Sequence, residues 1–354
     1  MRKLVCYLCI LVAFSSVVLV PGCNSESGKK TEMLVLNAGS LMIPMEQLEK
    51  EFESIHPDID LRYEGHGSIQ VIRHITEIGD AADVALVADY SLLPLLMYPA
   101  TMEDGQHFAD WHIQFASNQL GIAYTPESAY MEKITVDNWY DIFRKSDVNI
   151  GFSDPRLDAV GYRSLMLLQL AEDYYHDGLI FDDVIGVNFN ARIRSVQEDS
   201  DYVITVPELL ESKNDRIYLR GFSVQLLALL ESHQIDYAFE YESVALQHGL
   251  KFLPLPGEIN LSEEPMASEY KRVTVKLDYQ RYKTVTPVFE GLPIIYGVTI
   301  PASAPHQEEA ELFVEFLLGD KGQKILADNH QPAIIPPCSD NPDGIPQQLS
   351  EFLK

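Results

Sequence analysis

The sequence predicts an α/β protein of two domains, and three observations support this fold class. Patterns typical of strands and helices alternate from residue 33 onward. Removing a predicted export segment, residues 1–22, from the 354 residues leaves 332, more than one hydrophobic core usually accommodates. Two long extended runs, 115–128 and 292–300, can carry the chain from one domain to the other and back. A hinge with a cleft between two lobes is therefore expected.

The N-terminal segment is predicted to direct export. Two basic residues precede an apolar run, 4–20, so that residues 1–22 match a signal peptide. Cys23 follows small residues and is the expected lipidation site of a bacterial-type lipoprotein; an uncleaved membrane anchor is the alternative. Residues 23–32 are polar and predict a flexible tether. Both alternatives place the globular part extracytoplasmic, at the outer face of the cell membrane.

The first lobe is assigned to residues 33–118 and 292–354. A strand at 34–36 precedes a helix whose apolar residues recur every three or four positions: Leu41, Met45, Leu48, Phe52 and Ile55. A second strand precedes a helix with an isoleucine stripe: Ile69, Ile72, Ile75 and Ile78. Residues 82–89 predict a third strand, 91–97 a short helix, and 310–326 a final amphipathic helix.

The second lobe is assigned to residues 119–291. Its predicted elements are a helix containing Trp139, Tyr140 and Phe143, a strand at 149–153, a helix at 162–175, a helix at 223–232 and a strand at 235–241. In residues 186–212 the apolar residues show no clear periodicity.

Composition excludes several classes of protein. Without the two basic residues of the predicted signal, 24 Lys and Arg face 53 Asp and Glu, a formal charge of −29. Nucleic acid is therefore excluded as a partner, because its phosphates would be repelled. Cys6 and Cys9 lie in the signal, and with Cys23 lipidated only Cys338 remains. No disulfide framework or cysteine metal cluster is expected.

Two Gly-Ser pairs stand where a strand turns into a helix, Gly39-Ser40 and Gly67-Ser68. The first turn of a helix carries unpaired N–H groups and a partial positive charge, so such a junction can hold an anion. The alternative is that Ser40 only caps its helix. Ligands in open α/β sheets bind at the carboxyl ends of strands, where both pairs lie.

A third junction lies in the second lobe, where the polar loop 153–160 precedes a helix that starts near Gly161. It contributes Asp154 and Asp158. Asp154 precedes a proline and is interpreted as a cap or turn residue.

Several ordered motifs resemble the archaeal-type tungstate/molybdate-binding protein of an ABC importer: NAGS, GHGS, ADVALVADY, DAVGYRS, IDYAFEYESVALQHG and LPIIYGVTI. The resemblance extends over residues 33–337. It implies a two-lobed periplasmic-binding-protein fold of type II, without enzymatic activity or cofactor, that closes on tungstate or molybdate. It further implies delivery of the oxyanion to the permease and ATPase of an ABC transporter, and we expect a monomer.

The resemblance also implies the site. The oxyanion contacts match Gly39, Ser40 and Ser68 in the first lobe and Arg156, Leu157, Asp158 and Tyr241 in the second, with Asp158 as a carboxylate ligand to W or Mo. Where the family has a glutamate as second carboxylate ligand, this chain has Ser223. The Ser223 departure could reduce the preference for tungstate over sulfate. Glu240 and Glu242 flank Tyr241, but strand alternation predicts that both point away from it.

Two other functions are alternatives to this interpretation. A secreted serine hydrolase using Ser68 with His66 or His74 lacks the Gly-x-Ser-x-Gly elbow. A binding protein for another tetrahedral oxyanion, sulfate or phosphate, is the alternative that the Ser223 departure keeps open.

Overall fold

The computed structural model describes residues 29–278 and 287–353. The predicted signal peptide, Cys23 and residues 23–28 of the predicted tether lie outside the described residues. The tether ends earlier than predicted, because Thr31 already pairs with Ile59 in the first sheet. In the described ranges, no helix has the length and apolar character needed to cross a bilayer.

The described residues form fifteen strands. They are β1 Thr31–Ala38, β2 Ile59–His66, β3 Val84–Val87, β4 Ile113–Ser117, β5 Leu120–Tyr124, β6 Ile150–Ser153, β7 Arg194–Glu198, β8 Asp201–Val206, β9 Ile217–Arg220, β10 Tyr237–Tyr241, β11 Lys251–Pro254, β12 Val273–Leu277, β13 Val288–Glu290, β14 Ile295–Thr299 and β15 Ala333–Ser339.

The same ranges contain ten α-helices. They are α1 Met42–Ile55, α2 Ser68–Arg73, α3 Trp139–Phe143, α4 Ala159–Tyr175, α5 Leu227–Glu231, α6 Glu242–Gln247, α7 Ala267–Tyr270, α8 Gln307–Leu318, α9 Asp320–Asp328 and α10 Gln347–Ser350. Shorter 3₁₀ turns cover Gly39–Leu41, Ser223–Leu226 and Glu264–Met266, and single π-helical turns cover His74–Ile78, Leu93–Met97 and Asp182–Gly186.

The first lobe is built on a six-stranded sheet in the order β15-β4-β14-β3-β1-β2. β1 is parallel to β2 and β3, whereas β14 is antiparallel to both β3 and β4. The parallel part places the carboxyl ends of β1, β2 and β3 at one edge, which is the edge where ligands bind in such sheets.

The second lobe contains a five-stranded sheet, β11-β5-β10-β6-β9, and a four-stranded sheet, β13-β12-β8-β7. The chain leaves the first sheet after β4 and enters the second lobe at β5, two residues later along the extended run. It returns between β13 and β14. The α/β class is confirmed; the lobe limits at 118/119 and 291/292 stay a prediction.

Most of the predicted helices exist, with different ends. The stripe along α1 is buried at Met45, Leu48 and Phe52, but Ile55 is exposed at the end of the helix. Ile78 is also exposed, because the helix after Gly67 changes into a π turn and stops at Gly79, whose φ is +87°.

Three other regions differ from prediction. The helix expected at 310–326 is two helices, α8 and α9, separated at Gly319, whose φ and ψ are those of an extended residue. Residues 223–232 form a 3₁₀ turn followed by the short α5. Residues 186–212 contain β7 and β8, whose mostly exposed or half-buried residues explain the absence of a clear period.

Candidate functional site

A small enclosed cavity lies where the two lobes meet. Its volume is about 10 Å³, close to the smallest cavity volume that holds one water molecule. The first lobe contributes Ala38, Gly39, Ser40 and Ala88, and the second contributes Asp158, Val160, Phe222, Ser223, Val224 and Tyr241. Five of the eight residues predicted to bind the oxyanion therefore line one cavity.

The first wall is the turn Gly39–Leu41, which connects β1 to α1. A Cβ on Gly39 would lie 3.1 Å from the Phe222 ring and 3.3 Å from Val224, so glycine allows the second lobe to approach. The Ser40 hydroxyl lies 2.8 Å from that of Tyr296 and makes no capping hydrogen bond at the turn. The alternative that Ser40 only caps its helix is therefore wrong.

Ser68 lies behind this wall. Its hydroxyl accepts the backbone N–H of Ala88 at 2.9 Å, and Ala88 itself lines the cavity. Gly67, the preceding residue, is pressed against the second lobe: a Cβ there would lie 2.4 Å from the carbonyl oxygen of Leu157. In this arrangement Ser68 orients the wall, and its role as a direct oxyanion contact stays a prediction.

Asp158 brings a carboxyl group to the cavity from the second lobe. It precedes α4 at the N-cap position, and its Oδ2 accepts the backbone N–H of Ser223 at 3.1 Å. Burial raises the pKa of Asp158 to about 6. Its hydrogen bonds and the charge of Arg163 lower this pKa, but burial has the larger effect. The carboxyl group is thus available as a ligand but costly to keep charged without a cation or metal centre.

Arg156 and Leu157 do not line the cavity. The Arg156 guanidinium donates to Asp154, with Nε 2.7 Å from Oδ1, and to the carbonyl of Glu208. Asp154 is therefore the partner of Arg156, and their pairing holds the loop before α4. Direct contact of Arg156 or Leu157 with an oxyanion stays a prediction.

Ser223 and Tyr241 complete the second wall, and the carboxyl group of Glu240 lies behind them. Glu240 Oε1 accepts the Ser223 hydroxyl at 3.1 Å and the Tyr241 N–H at 2.8 Å. Glu240 does not line the cavity itself, and the expectation that it points away from the Tyr241 side chain stays a prediction. The turn that carries Ser223 packs against β10 and meets the Glu240 carboxyl there, a contact that strand alternation alone does not indicate. Glu242, in contrast, accepts a hydrogen bond from Gln119 at 2.6 Å.

Arg163 supplies the positive charge that the sequence reasoning missed. From α4 it donates to the Tyr241 hydroxyl at 2.6 Å and to the Ala88 carbonyl at 2.8 Å, and its Nη2 lies 3.2 Å from Asp89. Although burial opposes its charge, Asp89 and the neighbouring tyrosines raise the pKa of Arg163, so it stays protonated. The sequence feature that could have indicated this role is that Arg163 is the single Lys or Arg within the mostly apolar helical segment 159–171.

Larger depressions lie elsewhere on the described surface. One of about 740 Å³ lies against α9 and β15, within the first lobe. Another, of about 560 Å³, is lined by residues of both lobes, among them Gln114 and Lys271. Neither depression includes any of the predicted site residues, so the small cavity that does include them is the candidate site.

Comparisons of the sequence with known proteins relate the chain to extracellular solute-binding proteins. A family model described as bacterial extracellular solute-binding protein matches residues 33–330. An uncharacterized solute-binding protein of Methanoculleus marisnigri is 38% identical over 342 residues, which cover 93% of this chain and 92% of that protein. The molybdate/tungstate-binding protein WtpA of Pyrococcus abyssi is 36% identical over 356 residues and 97% of each chain.

A solved structure supports the architecture. The periplasmic molybdate-binding protein of Azotobacter vinelandii superposes with a TM-score of 0.52 at 15% sequence identity, over 84% of this chain and 98% of that one. At this identity the likeness shows the fold alone. The two-lobed periplasmic-binding-protein fold is thereby confirmed.

Proposed function

Because this chain belongs to the family of bacterial extracellular solute-binding proteins, we propose that it captures molybdate or tungstate between its lobes for an ABC importer. The observation that carries the proposal is the cavity in which Gly39 and Ser40 of one lobe meet Asp158, Ser223 and Tyr241 of the other. The name of the Pyrococcus abyssi relative supports the choice of ligand.

The polar groups around the cavity suit a metal oxyanion better than sulfate. Backbone N–H groups at the Gly39–Leu41 turn and the hydroxyls of Ser40 and Tyr241 can hold the oxygens, with Arg163 as countercharge behind Tyr241. The Asp158 carboxylate would repel any anion, but hexavalent Mo or W is a hard centre that accepts further oxygen ligands. Asp158 thus favours the oxyanions of these metals.

Binding would act through closure of the lobes. A tetrahedral dianion is larger than one water molecule, so the lobes must separate slightly from the arrangement around this cavity to admit it. Since each lobe supplies only part of the contacts, a ligand bound to both stabilises the closed form. The closed form would then be recognised by the permease of the importer, with its ATPase.

The remaining parts of the proposal concern the N-terminus and the cell. Residues 1–22 would direct export, and Cys23 would carry the lipid that anchors the protein to the outer face of the membrane. The protein would act as a monomer, bind its ligand without a cofactor and catalyse no reaction. Extracytoplasmic solute binding is the general property of the family.

A calorimetric titration tests the ligand. The chain from residue 24 is titrated with molybdate, tungstate, sulfate and phosphate. Asp158→Ala is compared with Asp147→Ala, which removes an exposed carboxylate just before the start of β6, whereas Asp158 follows the end of that strand. We expect Asp158→Ala to weaken molybdate and tungstate binding at least about 10-fold, or about 1.4 kcal/mol, and Asp147→Ala to leave it unchanged. Tighter binding of sulfate or phosphate than of tungstate by the unmodified chain would overturn the proposal.

A further inference from the structure

The hydroxyl of Ser223 is held between the cavity and a buried carboxyl group. Ser223 lines the cavity, and its Oγ donates to Glu240 Oε1 at 3.1 Å. Both side chains are buried, Glu240 completely. The backbone of Ser223 is also fixed, because its N–H donates to Asp158. The orientation of this hydroxyl is therefore set by the protein before any ligand arrives.

A serine hydroxyl has one hydrogen and two lone pairs. While the hydrogen is given to Glu240, it cannot be donated to an anion in the cavity, and the lone pairs are what Ser223 can offer there. Glu240 keeps this acceptor role in either charge state. Its Oε1 already receives the Tyr241 N–H at 2.8 Å, and a proton can reside on Oε2, which finds no hydrogen-bond partner among the described residues.

We propose that Glu240 is a positioning residue that makes Ser223 present oxygen lone pairs to the bound anion, and that this pair selects metal oxyanions against sulfate. The inference rests on the proposed function and deepens it by assigning a determinant of specificity. It also gives a role to Glu240, a buried acidic residue that strand alternation alone would place away from the ligand.

The selection follows from the central atom of the anion. Hexavalent Mo or W can accept a lone pair from a neutral hydroxyl oxygen and expand its coordination, while the hydrogen stays between Ser223 and Glu240 and no proton is released. Sulfur in sulfate accepts no such ligand, so a lone pair facing a sulfate oxygen is repulsive. Molybdate, tungstate and sulfate are all dianions, so a change in site charge alone affects their affinities alike.

Two substitutions separate the acceptor from the charge. Glu240→Met keeps the approximate volume but removes the acceptor, which frees the Ser223 hydrogen for the anion. Glu240→Gln removes the charge but retains a carbonyl oxygen for Ser223 and the Tyr241 N–H. We expect Glu240→Met to lower the ratio of tungstate to sulfate affinity at least about 10-fold and Glu240→Gln to leave this ratio within about twofold of the unmodified chain.

A double-mutant cycle isolates the hydroxyl. With Ser223→Ala as background, Glu240→Met should no longer change the ratio, because no hydroxyl remains to be oriented. An unchanged ratio in Glu240→Met, an equal loss in Glu240→Gln, or the same loss in the Ser223→Ala background would overturn the inference. If the unmodified chain shows no preference for molybdate or tungstate, the proposed function itself fails, which is a different outcome.

Ser223→Ala alone provides a test if Glu240→Met does not fold. X-ray absorption at the Mo edge of the molybdate complex reports coordination directly, because expansion beyond four oxygens weakens the pre-edge feature of the tetrahedral ion. We expect a weakened feature in the unmodified complex and a return toward that of free molybdate in Ser223→Ala. Identical spectra of the two complexes would contradict a coordinating Ser223.

Discussion

At the scale of single residues, the cavity is flanked by two buried carboxyl groups with different surroundings. Burial raises the pKa of Glu240 to about 8 and that of Asp158 to about 6. Asp158 has Arg163 as a cation whose charge lowers its pKa, whereas Glu240 has the additional repulsion of Asp158. The two groups therefore differ in how easily each carries a negative charge beside the bound anion.

The raised pKa of Glu240 predicts how stability depends on pH. The folded chain holds this proton up to about pH 8, whereas the unfolded chain releases it near its ordinary value of 4.5. The stabilising contribution is therefore complete below pH 4.5 and is lost as pH rises toward 8, by about 1.4 kcal/mol per pH unit. Urea unfolding at pH 5, 6, 7 and 8 should show this slope as the difference between the unmodified chain and Glu240→Gln. Parallel curves for the two proteins would contradict it.

At the scale of elements, buried hydrogen bonds connect the cavity to the crossing between the lobes. The Ser40 hydroxyl pairs with Tyr296 on β14, and Asn118, directly after β4, donates to Tyr296 at 3.1 Å and to Ser243 on α6 at 2.8 Å. The turn that lines the cavity is thus connected to both lobes at the hinge.

Tyr296→Phe should reveal the contribution of this network. The substitution keeps the ring but leaves the buried Ser40 hydroxyl and Asn118 amide without their shared partner, which should lower the free energy of unfolding by about 1–3 kcal/mol. Urea unfolding measures it, with Tyr174→Phe, at an exposed tyrosine, as the matched control. Equal midpoints for the two variants would show that the network adds nothing to stability.

At the scale of the whole molecule, a buried ion pair joins the two lobes. Asp89 follows β3 of the first sheet, and Arg163 lies on α4 of the second lobe with 3.2 Å between Nη2 and Oδ2. Tyr162 also donates to Asp89. Opening of the lobes would hydrate both charges, whereas closing restores their pairing. This ion pair therefore contributes to the equilibrium between the open and closed forms, and its loss should favour the open form.

Asp89→Asn should shift that balance toward the open form. It leaves the Arg163 charge buried without its carboxylate in the closed form, a loss of about 3–5 kcal/mol for a buried pair. We expect a larger radius of gyration in solution scattering without ligand and weaker binding of tungstate. Asp60→Asn, which breaks the exposed pair with Arg62, is the control. Scattering curves that coincide for Asp89→Asn and the unmodified chain would refute the role of this pair.

Local patterns in the sequence account for the α/β class, the two strand-to-helix junctions with Gly-Ser pairs and the two runs that cross between lobes. These features depend on neighbouring residues, because the periods of strands and helices and the freedom of glycine act within a few positions. The motif resemblance further indicated Gly39, Ser40, Asp158, Ser223 and Tyr241, which do meet at one cavity.

Tertiary structure alone decided which side chains complete the site. Arg163 meets the Ala88 carbonyl 75 positions away, and Glu240 meets Ser223 17 positions away on another element. Arg156 is bound by Asp154, and Ser68 orients Ala88 behind the wall. Local periodicity indicates which face of an element is apolar. The partner of a buried charge, in contrast, comes from another element and depends on how the elements pack. That pairing is a property of the packed lobes, since burial makes an unpaired charge too costly to keep.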